Sequence, residues 1–348
     1  MNLSFFNEID AQKYLKKDKS IETLRGIAIT LLVLFHAREF IQNESYHFIN
    51  YILDPVRMPL FASISGFLYA NRPLTGSPLS FLKGKIRRII IPCFVILTIW
   101  LLLNYLSFHF LGNNSLIQIK IDVFSLRRII VFYLFRPTTY WFCQAIFTVF
   151  VAVVVLERLR LLYSLRNLLI IISFLLVLTA LILKTNTGMF WSSFFSINGA
   201  MYLSIFFFLG MAVNKYSDIL FQKYLIAIYF AIFSLCLYYL VLAYDGGTMQ
   251  RVMKYSHPAC LGLSIFGVLL IYRFKFTNTL FSKIGYYAFV IYLYHRFCFS
   301  LTNALVVWLD FENVALIVAL SLSLILPIIT YRIFINNKVT KILFLGEK

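Results

Sequence analysis

Charge is scarce in this sequence. Only 13% of its 348 residues are Asp, Glu, Lys or Arg, where a soluble domain carries roughly a quarter. Acidic residues are scarcer still at 14, and none forms the Asp-X-Asp pattern that metal-dependent glycosyl transfer commonly uses. The five cysteines (Cys93, Cys143, Cys236, Cys260 and Cys298) lie singly inside apolar runs. Without short paired spacings they imply neither a disulfide framework nor a zinc site, and no metal site is expected. Alternation of apolar and polar residues over strand lengths is missing, which argues against a β-barrel. No small-residue cleavage site follows the first apolar run, so a cleaved signal peptide is not expected.

What is abundant is hydrocarbon. The chain is 61% hydrophobic and 18% aromatic, with a mean hydropathy of +0.83. Long apolar runs recur along most of its length, the pattern of an all-α, polytopic membrane bundle in a lipid bilayer. Ten spans are expected at 21–42, 50–70, 89–111, 140–157, 167–184, 195–213, 224–244, 256–272, 284–308 and 313–335. They leave a polar N-terminal segment (1–20), a membrane domain (21–335) and a tail (336–348). The net charge of +18 would suit nucleic acid, but the basic residues fall between the runs, where membrane topology places them. No nucleic-acid partner is therefore expected. Placing both termini in the cytoplasm gives a Lys and Arg bias of roughly three to one toward that side. The longest loop, 112–139, falls outside, and its segment 125–135 suits a position in the membrane interface.

The first span is not clean. Within "LRGIAITLLVLFHAREF" stand Arg25 and His36, both costly in hydrocarbon. They are eleven residues apart, so on a helix they share a face within about 20°, separated by a rise of roughly 16 Å. Arg25 then lies near the cytoplasmic surface and His36 deep on the same stripe. Glu22 precedes Arg25 by three residues and can pair with it; Glu39 follows His36 by three and can orient the imidazole. An arginine near a helix end can also simply snorkel. A histidine deep in a span points to function, and its ordinary pKa near 6.5 suits removal of a hydroxyl proton.

Two further stretches carry chemistry. "FLKGKIRRIIIPCF" crowds Lys83, Lys85, Arg87 and Arg88 at one cytoplasmic helix mouth. That is either topological anchoring or a grip on a multiply phosphorylated ligand, which arginine forks match well. In "RMPLFASISGFLYA", Pro59 is expected to kink or break the second span. Ser63, Ser65 and Gly66 permit close helix packing or irregular backbone. Arg57 needs a partner there, with Glu39 or Asp54 available.

These stretches together resemble the acyltransferase 3 family of integral membrane acyltransferases. "IETLRGIAITLLVLFH" is similar to its arginine, ten residues, then histidine, with an acidic residue three before the arginine. "MPLFASISGFLYA" resembles its second-helix pattern, and "KGKIRRIIIP" its basic run before a proline. "YWFCQAIF", "FFFLGMAVNK" and "YYAFVIYLYH" resemble later segments, so the likeness covers about 20–335. It implies a ten-helix enzyme that moves an acyl group, often acetyl, from cytoplasmic acetyl-CoA to a sugar hydroxyl on a surface glycan or its lipid-linked precursor. Acetyl-CoA is then a donor substrate, and no resident cofactor is implied. The variant resembles the fucose and sugar O-acetylase branch. A bacterial inner membrane is the implied location.

The resemblance places His36 at the catalytic-histidine position and Arg25 at the donor-side arginine. It puts Lys85, Arg87 and Arg88 in the donor-binding run, although Lys85 stands where an arginine is often found. For the oxyanion of acyl transfer, Arg57, the Ser65–Gly66 backbone and Trp141 are candidates. His295 is either a helix-end histidine bonded within the bundle or part of the acceptor side. A lipid-linked sugar transporter or flippase is the rival reading. Such folds often carry matched internal repeats, and neither the Arg-Gly…His nor the Ser-Gly-Phe pattern recurs in the second half. Oligomeric state is left open, a homo-oligomer included.

Overall fold

The computed structural model describes residues 18–37, 43–74, 76–111, 130, 133–135, 140–185, 194–246, 257–306 and 312–347. Among these the secondary structure is helical, with no strand. The elements are α1 (Lys19–Ala37), α2 (Glu44–Asn71), α3 (Pro78–Lys85), α4 (Ile91–Leu111), α5 (Trp141–Arg158), α6 (Leu165–Thr185), α7 (Ile197–Lys215), α8 (Lys223–Leu242), α9 (Pro258–Phe274), α10 (Thr279–Tyr286), α11 (Ala288–Val306) and α12 (Glu312–Phe334). A π-helical turn, Ile86–Ile90, joins α3 to α4. Each of the ten apolar stretches contains a described helix, although 284–308 opens on the end of α10 and breaks at Tyr287 before α11. By length and composition, six helices among the described residues can cross a membrane, or seven if α9 and α10 form one span bent by 118°.

The helices sort by burial. α7 is the central post, with its most apolar window 83% buried inside the protein, whereas α8 is only 6% buried. A uniformly apolar helix with little protein around it presents its surface to lipid. α7 packs against α2, α5 and α6. Its crossing with α2 is reciprocal. A Cβ on Gly66 would lie 1.8 Å from the Phe207 carbonyl oxygen, and one on Gly210 would lie 1.9 Å from that of Ser63. Two backbones thus touch where any side chain would separate them.

The second expected span differs from its prediction. No break occurs at Pro59: α2 is one helix through both Pro55 and Pro59. Pro59 has no N–H to give to the carbonyl four residues earlier. That carbonyl belongs to Pro55, and the Ser264 hydroxyl of α9 donates to it at 2.7 Å. A neighbouring helix supplies the missing donor, as a membrane interior requires.

Three structured segments lie where connecting chain was expected. Residues 273–283 contain the start of α10, capped by the Asn278 side chain, which accepts from the N–H groups of Leu280 and Phe281 at 2.9 and 3.1 Å. Asn278 is also tied to α1, exchanging hydrogen bonds with the Thr23 hydroxyl through its own N–H (3.1 Å) and carbonyl (3.2 Å). The basic run, expected at a helix mouth, lies on α3 and the π turn that lead into α4. The tail folds into a helical turn (Lys338–Thr340) and a second π turn (Lys341–Leu345). Phe344 stacks on Phe334 at 4.4 Å, and Gly346 sits on the Arg88 backbone.

The α2–α7 crossing sets a stability test. Gly66→Ala is expected to destabilise the detergent-solubilised protein by about 1–3 kcal/mol, because a rigid backbone must move. Gly84→Ala, in α3 with nothing within 4 Å of the added Cβ, is expected to be neutral or mildly stabilising. Thermal unfolding of both variants reads the contrast; equal effects would refute the close-contact explanation.

Candidate functional site

The site begins in the first two turns of α1. Arg25 donates to both carboxylate oxygens of Glu22, at 2.9 and 3.1 Å. Glu22 is almost wholly buried and the Arg25 side chain is 21% exposed. Next to it, Gly26 makes the second close crossing of the fold. A Cβ on Gly26 would lie 1.8 Å from the Phe281 carbonyl oxygen, and one on Gly285 the same distance from that of Glu22. α1 therefore lies directly on α10.

From that crossing both chains advance ten residues to a histidine, Gly26 to His36 on α1 and Gly285 to His295 on α11. Ten helical residues rise about 15 Å. Equal advances bring the two imidazoles level, and their ring centroids are 5.2 Å apart with an interplanar angle of 32°. Phe299 flanks both rings, at 6.4 Å from His36 and 6.1 Å from His295. Phe35 meets His36 edge-on at 5.1 Å. His36 is half-buried, whereas His295 is sealed at 1% exposure. The His295 Nδ1 lies 2.7 Å from the Tyr292 carbonyl oxygen, and its Nε2 is buried with no hydrogen-bond partner among the described residues.

A buried cation lies on the far side of Phe35, the residue before His36. Arg57 of α2 is 2% exposed and lies 4.4 Å over the Phe35 ring. It donates to Asp54 at 2.9 Å, and to the Asn50 carbonyl and side-chain oxygens at 2.5 and 2.9 Å. All three acceptors lie one or two turns earlier on the same helix, so α2 neutralises its own arginine. Of the two partners expected, Asp54 is the one in place. Glu39, like most of segment 125–135, lies outside the described residues. The Tyr46 hydroxyl donates to the Leu34 carbonyl and fastens α2 to α1 just before His36.

Other sequence candidates are placed differently. Gly66 is in the α2–α7 crossing. The Ser65 hydroxyl donates to the Phe61 carbonyl one turn back, at 2.9 Å. Trp141 opens α5 and packs on the turn at Gly199, where a Cβ would come within 3.0 Å of its ring. Its neighbour Tyr140 was missed by sequence reasoning. Tyr140 is fully buried and donates to the Leu293 carbonyl at 2.8 Å, which anchors α5 to the turn of α11 before His295. Only its place before "WF" could have marked it.

The basic run forms a separate cluster. The Lys85 ammonium stands 3.6 Å from the Phe150 ring centroid and 5.1 Å from that of Phe81, a cation–π seat that turns it toward α5. Arg87 and Arg88 lie on the π turn, whose wider coil redirects side chains. Arg88 is exposed, while the Arg87 Nε is buried and has no hydrogen-bond partner among the described residues.

The helical bundle thus holds a histidine pair, an arginine neutralised by its own helix and a separate basic cluster. A family model described as an acyltransferase domain, that of acyltransferase 3, matches residues 18–332. The chain belongs to the acyltransferase 3 family and is a membrane acyltransferase. No curated protein and no solved structure matches it.

The Arg57 cluster yields a stability prediction. Asp54→Leu strips a buried guanidinium of its anion and is expected to cost about 3–5 kcal/mol. Adding Arg57→Met removes the stranded charge and should recover much of that loss. Chemical denaturation of the single and double variants checks the sign; a double variant less stable than Asp54→Leu alone would contradict it.

Proposed function

We propose that this acyltransferase is an O-acetyltransferase of a bacterial inner membrane. It would move acetyl from cytoplasmic acetyl-CoA to a sugar hydroxyl of a surface polysaccharide or lipid-linked precursor. The observation that carries the reading is the half-buried His36 imidazole, deep on the stripe that starts at Arg25, within the matched domain. The family supplies acyl transfer; the donor, the acceptor and the residue roles are our reading. Ten spans with both termini cytoplasmic suit it, since the basic mouth then faces the nucleotide pool.

The chemistry is a transfer between two oxygen and sulfur nucleophiles. Lys85, Arg87 and Arg88, with Arg25, hold the phosphates of the donor by charge-assisted hydrogen bonds. The pantetheine arm runs inward over a distance like the roughly 16 Å rise from Arg25 to His36. His36 removes the proton of the acceptor hydroxyl as its oxygen bonds to the thioester carbonyl carbon. The carbonyl electrons move onto oxygen, and Arg57 is our candidate cation for that oxyanion. Collapse re-forms the carbonyl and breaks the carbon–sulfur bond. The imidazolium returns its proton to the departing sulfur, giving the acetyl ester and free CoA. An acyl group carried transiently on His36 is the two-step variant. Ping-pong kinetics distinguish it.

The test is transfer of labelled acetyl from acetyl-CoA by membranes containing the protein. Label is expected in glycan, and His36→Ala should lower the rate at least about a hundredfold with normal protein abundance. Normal labelling by a folded His36→Ala protein would falsify the assignment of His36. Mass spectrometry of the surface glycans then identifies the hydroxyl that loses its acetyl.

A further inference from the structure

His295 holds the most informative unsatisfied atom near the site. Its Nδ1 is 2.7 Å from the Tyr292 carbonyl oxygen. A carbonyl oxygen only accepts, so Nδ1 carries the hydrogen. The neutral ring then presents Nε2 as a bare lone pair. That atom is buried and has no hydrogen-bond partner among the described residues. A buried acceptor left without a donor keeps its desolvation penalty uncompensated. Such a group in an otherwise well-packed bundle asks for a role that pairs it at some other moment.

A neighbour that can supply a donor is His36, 5.2 Å away between centroids. The imidazole radius is a little over 1 Å, so two rings joined by an N–H···N bond of ordinary length also have centroids about 5 Å apart. The rings are already at that spacing. What the resting pair lacks is alignment, which a small rotation of the half-buried His36 provides. Phe299 faces both rings, Phe35 meets His36 and Tyr292 meets His295.

We propose that His295 is a positioning residue for His36: its Nε2 accepts a hydrogen bond from the His36 N–H that faces it. The deduction rests on the reading of His36 as the base. One nitrogen of His36 is held as a donor, which leaves the other as the proton acceptor. When His36 takes the hydroxyl proton it becomes a cation with two N–H groups. The one directed at His295 then strengthens its bond to the waiting lone pair. The contact is stronger in the charged state than at rest, which is what selectively lowers a barrier. Hydrogen bonds of this kind are often misaligned without substrate and tighten when the reaction begins. A neutral imidazole does here what a carboxylate does in many other histidine sites. It does so without placing an anion in a sealed apolar position.

The test compares three variants in membranes, with labelled acetyl-CoA as the probe. His295→Phe fills the space and removes the acceptor. His295→Gln keeps an acceptor oxygen near the Nε2 position, and His36→Ala removes the base. His295→Phe is expected to lower kcat about a hundredfold with little change in the KM for acetyl-CoA. His295→Gln is expected to recover kcat to within about tenfold of wild type. A merely structural histidine would lower thermal stability and show no such rescue. Monodisperse elution and an unchanged Tm confirm that the variants fold. The proposal is overturned if folded His295→Phe stays within about threefold of wild type, or if Gln is no better than Phe. If His36→Ala also retains transfer, the reading of His36 fails first, and the two failures are separable.

Discussion

The contact of α1 with α10 at Gly26 and Gly285 is the constraint on which the site depends. Each backbone lies where the other's Cβ would be, so the pair admits one register. A glycine alone does not fix a helix pair, and here the Thr23–Asn278 exchange locks the same crossing by hydrogen bonds. Everything above follows by counting. The Glu22–Arg25 pair is adjacent to the crossing, and the two histidines lie ten residues beyond it on their separate helices. A shift of one residue in either helix would turn its histidine by about 100° away from the other.

A second constraint acts on every polar group in the bundle. Without water, a buried donor or acceptor can be satisfied only from the chain itself. Arg57 is neutralised by residues of its own helix. The carbonyl freed by Pro59 is answered by Ser264. Against this, the His295 Nε2 and the Arg87 Nε are left without hydrogen-bond partners among the described residues. One is beside the proposed base and the other at the proposed phosphate mouth. They are among several such buried side-chain atoms, and are the two that the proposed mechanism would engage.

The helices were legible in the sequence because continuous apolar runs leave few alternatives. The Glu22–Arg25 pair and the shared face of Arg25 and His36 followed from helical spacing. So did the Asp54 partner of Arg57. The pairing of His36 with His295 did not, because they are 259 positions apart and no local period links them. α10 was hidden because eight residues containing a lysine, a serine and a glycine carry a weak apolar signal. Pro59 does not break the span because the donor it lacks is supplied from another helix. Gly66 read equally well as packing or irregular backbone, and only the position of the Phe207 carbonyl shows the close approach.

The most direct measurement is a cryo-EM map of the protein bound to a thioether analogue of acetyl-CoA that retains the carbonyl but cannot transfer it. The nucleotide is expected at Lys85, Arg87 and Arg88. The carbonyl carbon is expected beside His36, close enough that an acceptor hydroxyl attacking it would lie within about 3 Å of the imidazole. An analogue bound with its carbonyl on another face of the bundle, away from both His36 and His295, would contradict the assignment of the histidine pair as the reacting centre.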